Sequence, residues 1–95
     1  METNLSTQYW KKYAWVKRGK RRQITLKIFN KSANPLSVND IHEMSKVAIS
    51  QASATVGELE EAGLINCLNP DDKIGKLYTI SEEGKNIVAQ MEGNN

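Results

Sequence analysis

Apolar residues recur along this chain at helical spacing in four places and at strand spacing in two. Ile24 and Ile28 lie four apart, and Leu26 and Phe29 three apart, which predicts a helix over residues 20–30 with a broad apolar face. A second helix starts at Ser37, with Val38, Ile41, Met44 and Ser45 as its inner stripe. A third starts at Ser50 and runs to residue 62, with Ala52, Val56 and Leu59 at i, i+4 and i+7. Residues 64–68 and 75–80 read as two short strands, Tyr78 and Ile80 sharing a face. A last helix over residues 82–91 carries Ile87, Val88 and Met91.

Punctuation agrees with these boundaries. Asn34-Pro35 makes a loop of residues 31–37, and Asn69-Pro70 opens the turn between the strands. Ser37-Val38-Asn39-Asp40 matches a capping box with Asp in the third helical position. Ser50 supplies a hydroxyl cap for the third helix, Gly63 ends it, and Ser81 caps the last one. Glu82 and Glu83 then sit in a first turn, where the helix dipole favours negative charge.

The segment 9–16 is ambiguous. It holds Tyr9, Trp10, Tyr13 and Trp15, four of the six aromatic residues. Tyr13 and Trp15 share a strand face, whereas Tyr9 and Tyr13 share a helix face. A short strand near residues 14–16 is the expectation, followed by a turn at Gly19. Residues 1–8 are expected to be a flexible lead-in and 93–95 a tail, leaving one domain over 9–92.

Composition narrows the function classes. With 95 residues there is room for one core and little for a separate ligand domain, so no small-molecule ligand is expected. No apolar run approaches the roughly 18 residues of a membrane span, and the first residues lack a signal-peptide pattern. One cysteine, Cys67, permits no internal disulfide, consistent with a cytoplasmic protein. Cys67 is expected to be a small buried hydrophobe. His42 stands alone, so no metal or other cofactor is expected. Ser50 and Ser53 have no His–Asp pair in a clear pattern, which argues against an enzyme.

Charge is divided sharply. Residues 1–31 hold nine Lys/Arg against one acid, a net +8, while residues 32–95 carry a net −6. Lys17, Arg18, Lys20, Arg21 and Arg22 cluster at the entrance of the 20–30 helix, and Lys73 and Lys76 flank the turn between the strands. A basic end of this kind points to a polyanion, and these seven residues are candidate phosphate contacts.

Two helices joined by a tight turn, followed at once by a hairpin, make a helix-turn-helix arrangement with a wing. The segment Leu59-Glu60-Glu61-Ala62-Gly63-Leu64-Ile65, with Gly75-Lys76-Leu77-Tyr78-Thr79-Ile80-Ser81-Glu82-Glu83-Gly84 behind it, resembles MarR- and ArsR-like winged-helix regulators. The run Val16–Arg22 and Cys67-Leu68-Asn69-Pro70 resemble small archaeal members most closely. The resemblance implies an α+β winged helix-turn-helix fold: a three-helix core, a two-stranded wing and a C-terminal helix. It implies double-stranded DNA as partner and transcriptional regulation as the role, with helix 50–62 in the major groove and hairpin 64–80 as wing. Carried onto this chain, the base-reading positions are Ser50, Gln51, Ser53 and Ala54. Ala54 departs from the pattern, since relatives often have a basic residue there. Gly57 and Glu58 are also poor groove-facing residues, which motivates the rival reading of a winged-helix protein–protein interaction module. The stripe Ile87, Val88 and Met91 either pairs two chains into a homodimer or packs on its own domain.

Overall fold

The computed structural model describes residues 2–93, with side chains from Thr7 onward. Among these residues the chain is an α+β fold of five helices and one antiparallel two-stranded sheet. The order is α1 (Glu2–Arg18), α2 (Lys20–Lys31), α3 (Val38–Ser45), α4 (Ile49–Glu61), β1 (Ile65–Cys67), β2 (Tyr78–Ile80) and α5 (Glu82–Gly93). Gly93 of the expected tail closes α5; Met1, Asn94 and Asn95 lie outside the described residues.

The N-terminal segment departs most from expectation. Residues 14–16 are the end of α1 rather than a strand, and residues 2–8 are its first turns. The reason is helical spacing: Tyr9, Tyr13 and Val16 fall on one face. Val16 is fully buried, and both tyrosines pack partly buried against the core. Tyr9 Oη donates to the Asn86 carbonyl at 3.2 Å, and Lys12 pairs with Glu83 at 2.9 Å, so α1 is tied across α5.

A single residue, Gly19, joins α1 to α2. Its amide donates to the Val16 carbonyl at 3.1 Å, closing α1 with a tight turn and leaving the Trp15 carbonyl without that donor. Arg22 supplies the replacement, donating from Nε and Nη2 to the Trp15 oxygen at 3.0 and 2.7 Å. Gln23 Nε2 donates likewise to the Lys17 carbonyl at 2.6 Å. Side chains of the next helix therefore satisfy carbonyls that a helix end otherwise leaves open.

The face of α2 that packs inward is Thr25, Leu26 and Phe29. Ile24, expected on that face, is 38% exposed, because two residues turn about 200° round a helix and Leu26 has taken the inner side. In α3 the capping box forms: Asp40 N donates to Ser37 Oγ at 3.1 Å, and Ser37 N donates to Asp40 Oδ2 at 2.9 Å. Ile41 and the half-buried Val38 and Ser45 define its inner line. Met44 falls at the edge of that line and is 54% exposed, against expectation.

Helix α4 begins earlier than the hydroxyl cap suggested. Its N-cap is Ala48, with no side-chain cap, and Ser50 lies inside the first turn. Lys46 adopts a left-handed conformation (φ 68°), and His42 Nδ1 donates to the Val47 carbonyl at 2.6 Å. The carbonyl can only accept, which fixes the proton on that ring nitrogen. This compact turn delivers the chain to α4 within three residues. At the other end Gly63 is left-handed (φ 78°), its amide reaching Glu60 and the Leu64 amide reaching Leu59, a Schellman closure. Leu59 and Leu64 are both fully buried there.

The strands are three residues each, in register Ile65↔Ile80, Asn66↔Thr79 and Cys67↔Tyr78. They are shorter than expected because Asn69 gathers the loop between them. Its Oδ1 accepts from Leu77 N at 2.8 Å, and its Nδ2 donates to the Gly75 carbonyl and the Asp72 carboxylate. Leu36 adds an unexpected isolated rung on the other edge of β2, exchanging two backbone hydrogen bonds with Tyr78 at 2.9 and 2.8 Å. Ser81 Oγ accepts from Gly84 N at 3.0 Å and donates to the Gly63 carbonyl at 2.7 Å, so the cap of α5 also fastens the end of α4. Ile87 and Val88 are buried within this chain and Met91 packs partly buried beside them, the second of the two outcomes open for that stripe.

Candidate nucleic-acid interface

A groove of ≈ 540 Å³ runs between the first turn of α2 and the outer face of α4. Lys20, Arg21 and Arg22 form one wall with Ile24. Ser50, Gln51, Ala54 and Glu58 form the other, and Val47 of the α3–α4 turn also lines it. Six of the residues singled out from sequence thus meet in one concavity, although they belong to helices separated by α3. The tertiary fold makes this meeting: Leu26 and Phe29 pull α2 inward while Ala52, Thr55, Val56 and Leu59 do the same for α4. What remains outside on each helix is mainly polar or charged, with Ile24 on α2 and Ile49 and Ala54 on α4 as exposed apolar exceptions.

The groove's groups differ in how free they are. Among the described residues no ion pair or side-chain hydrogen bond holds Lys20, Arg21, Ser50, Gln51 or Ser53. Arg22 is committed. Besides its two bonds to Trp15, its guanidinium stacks 4.4 Å from the Trp15 ring, and Nη1 lies 4.0 Å from Glu58 Oε1. Its side chain is largely covered, so Arg22 is an organising residue here more than a free cation. Glu58 is correspondingly a paired carboxylate, half-exposed at the groove's edge.

The other predicted residues lie apart. Ser53 is exposed on α4 outside the groove lining. Lys17 and Arg18 end α1 next to Gly19, with Lys17 Nζ 5.7 Å from the Tyr13 ring centroid. Lys73 and Lys76 border a separate concavity of ≈ 440 Å³ between the β1–β2 loop and the first turn of α3. Ile74, between them, is 90% exposed. Tyr78 forms part of that wall. Burial raises its phenol pKa above the ordinary value, with the negative charge of Glu60 and then Cys67 adding to the effect.

Sequence reasoning missed the Arg22–Trp15 clamp and the Arg22–Glu58 pair. Both contacts cross a helix boundary, where periodicity carries no signal. The Gly19 that permits the first was visible, but not its reason. Cys67 is half-buried, its Sγ 3.7 Å from Asn69 Oδ1. Among the described residues there is no cluster of three or more His, Cys, Asp or Glu that would hold a metal ion, and no helix is long and apolar enough to cross a membrane. No protein-family model matches the chain, and no curated protein or solved structure matches it either.

Proposed function

We propose that this chain is a winged helix-turn-helix domain that binds double-stranded DNA and regulates transcription. In this reading α4 enters the major groove, and the β1–β2 hairpin, backed by the Leu36 rung, is the wing. The observation that carries it is the convergence of Lys20 and Arg21, free of ion pairs among the described residues, with the uncommitted Ser50 and Gln51 in one groove. Cations beside a polar helix face are what a duplex requires, phosphates for the one and base edges for the other. Helix α4 has 13 residues, about 20 Å at 1.5 Å per residue, and the major groove is about 12 Å wide. Lys20, Arg21, Lys17, Arg18, Lys73 and Lys76 are the phosphate contacts of this reading. Arg22 is excluded from the free set by its bonds to Trp15.

Fluorescence anisotropy with a labelled mixed-sequence duplex tests the proposal. With four to six phosphate contacts, log K falls against log salt with a slope of about −3.6 to −5.4. Lys20→Ala with Arg21→Ala flattens that slope by about two. Absence of binding to any duplex at low salt contradicts the proposal. One observation favours the alternative of a protein-interaction module: the C-terminal half of α4 presents Gly57, Glu58, Glu60 and Glu61 around a concavity. A protein partner retained after nuclease treatment, with no duplex binding, would decide for it.

A further inference from the structure

We infer that Glu58 is a specificity-determining residue of α4, reading the N4 amino group of a cytosine in the major groove, with Arg22 offsetting part of its charge. The inference rests on the reading of α4 as the helix that enters the groove. An unbalanced carboxylate facing DNA is simply repelled by phosphate. Glu58 is not unbalanced: its Oε1 lies 4.0 Å from Arg22 Nη1, and Arg22 is itself fixed by two hydrogen bonds to the Trp15 carbonyl and by the Trp15 ring. At 4.0 Å, longer than a hydrogen bond, the guanidinium offsets part of the carboxylate's charge from the α2 side. The carboxylate is left half-exposed at the edge of the groove that Gln51 and Ala54 also line.

Geometry and base chemistry then select the partner. Gln51 and Glu58 are seven residues apart, two helical turns on one stripe, about 10 Å along α4. On a helix laid in the major groove, side chains so spaced reach bases about two steps apart. An ionised carboxylate only accepts hydrogen bonds. In the major groove the amino donors are N4 of cytosine and N6 of adenine, and adenine places the N7 acceptor beside its donor, which repels a carboxylate. Cytosine is the base that suits it. Gln51 suits adenine, whose N6 and N7 match an amide's acceptor and donor, and the Ala54 methyl suits the methyl group of a thymine between them.

Selection from a randomised duplex library, followed by sequencing, tests this with the wild type and Glu58→Ala, Glu58→Gln, Arg22→Ala and Gln51→Ala. The wild type is expected to enrich a C·G pair about two base pairs from an A·T pair. Glu58→Ala lowers the cytosine preference about fivefold to tenfold, leaves the adenine preference intact, and tightens binding to non-cognate duplex because an anion is gone. Glu58→Gln, which keeps an acceptor, retains part of the preference. Arg22→Ala weakens the cytosine preference and spares the adenine one, a split that a general loss of structure would not produce. Gln51→Ala gives the opposite split. If Glu58→Ala tightens binding to all sequences equally, with the wild-type base preferences unchanged, Glu58 only repels, and the inference fails while duplex binding stands. Retention of duplex without any base preference has the same consequence. Failure to retain duplex at low salt overturns the underlying reading together with the inference.

Discussion

Replacing Gly19 by alanine isolates the joint on which the candidate groove is built. Gly19 has φ −113° and ψ 111°, an extended conformation open to any residue, so its backbone does not call for glycine. Space does. A Cβ there would lie 2.5 Å from both Cζ and Nε of Arg22 and 2.7 Å from Nη2. The guanidinium is the far end of a flexible side chain and can leave, but leaving forfeits its contacts. The two bonds to one carbonyl count as about one charge-assisted hydrogen bond, ~1.5 kcal/mol in a partly exposed setting, and the stack on Trp15 adds ~0.5 kcal/mol. Alanine returns ~0.5 kcal/mol by restricting the unfolded chain. Gly19→Ala is therefore expected to destabilise by ~1.5 kcal/mol, a Tm lower by about 6–12 °C in a domain of this size. Arg22→Ala removes the obstacle along with the contacts. In that background Gly19→Ala should be neutral or stabilising by up to ~1 kcal/mol, which makes the coupling between the two sites about 2 kcal/mol. Urea unfolding followed by far-UV circular dichroism measures all four corners of the cycle. Equal destabilisation by Gly19→Ala with and without Arg22 would instead place the need for glycine in the backbone.

Three further outcomes follow from the packing. Gly84 lies so close beneath Leu64 that a Cβ would collide with the Leu64 carbonyl oxygen and approach Ile80 Cγ1 to 2.8 Å, so Gly84→Ala should lower stability by at least ~2 kcal/mol, although alanine favours a helix; an unchanged Tm would contradict this. Asn69→Ala removes the acceptor for Leu77 N and the ties to Gly75 and Asp72, so hydrogen exchange at Leu77 should speed up while the amides of Leu26 and Leu59 in the core keep their protection. At Tyr9, burial, then the neighbouring Tyr13 and Glu83, raise the phenol pKa above 10.0, as burial does first at Tyr78. The native state thus holds these protons more tightly than the unfolded chain, and their contribution, complete below the unfolded value of 10.0, is lost as pH rises through the raised native values. Thermal unfolding across that window should give a falling Tm, less steep in Tyr78→Phe; a Tm independent of alkaline pH would contradict the assignment.

Much of the fold was legible because local signals agreed with burial. The stripe of α4 (Ala52, Val56, Leu59), the Ser37–Asp40 box, the Gly63 stop and the Ser81 cap all stand at their expected positions. Where reading failed, a tertiary contact decided. Residues 14–16 carry β-branched and aromatic character suited to a strand, yet Val16 finds its burial only when Tyr9 and Tyr13 share its helical face. Ser50 looked like a cap, but the left-handed Lys46 and the His42–Val47 bond start α4 sooner. The candidate site was legible as composition, a basic stretch at the entrance of α2 and small polar residues on α4. Its internal order was not. Nothing in the spacing of Trp15, Arg22 and Glu58 reveals that one guanidinium joins all three, because the contact depends on how three separate helices cross.

Amide chemical-shift mapping during titration with a mixed-sequence duplex at low salt shows whether DNA docks on the α2–α4 groove. Perturbed signals are expected to concentrate on Lys17, Arg18, Lys20 and Arg21, on Ser50–Ala54 and Glu58, and on Lys73–Lys76, while the buried signals of α5 hardly move. Perturbation confined to α5 and to α1 before Lys17, or no perturbation at all, would contradict duplex binding through this face.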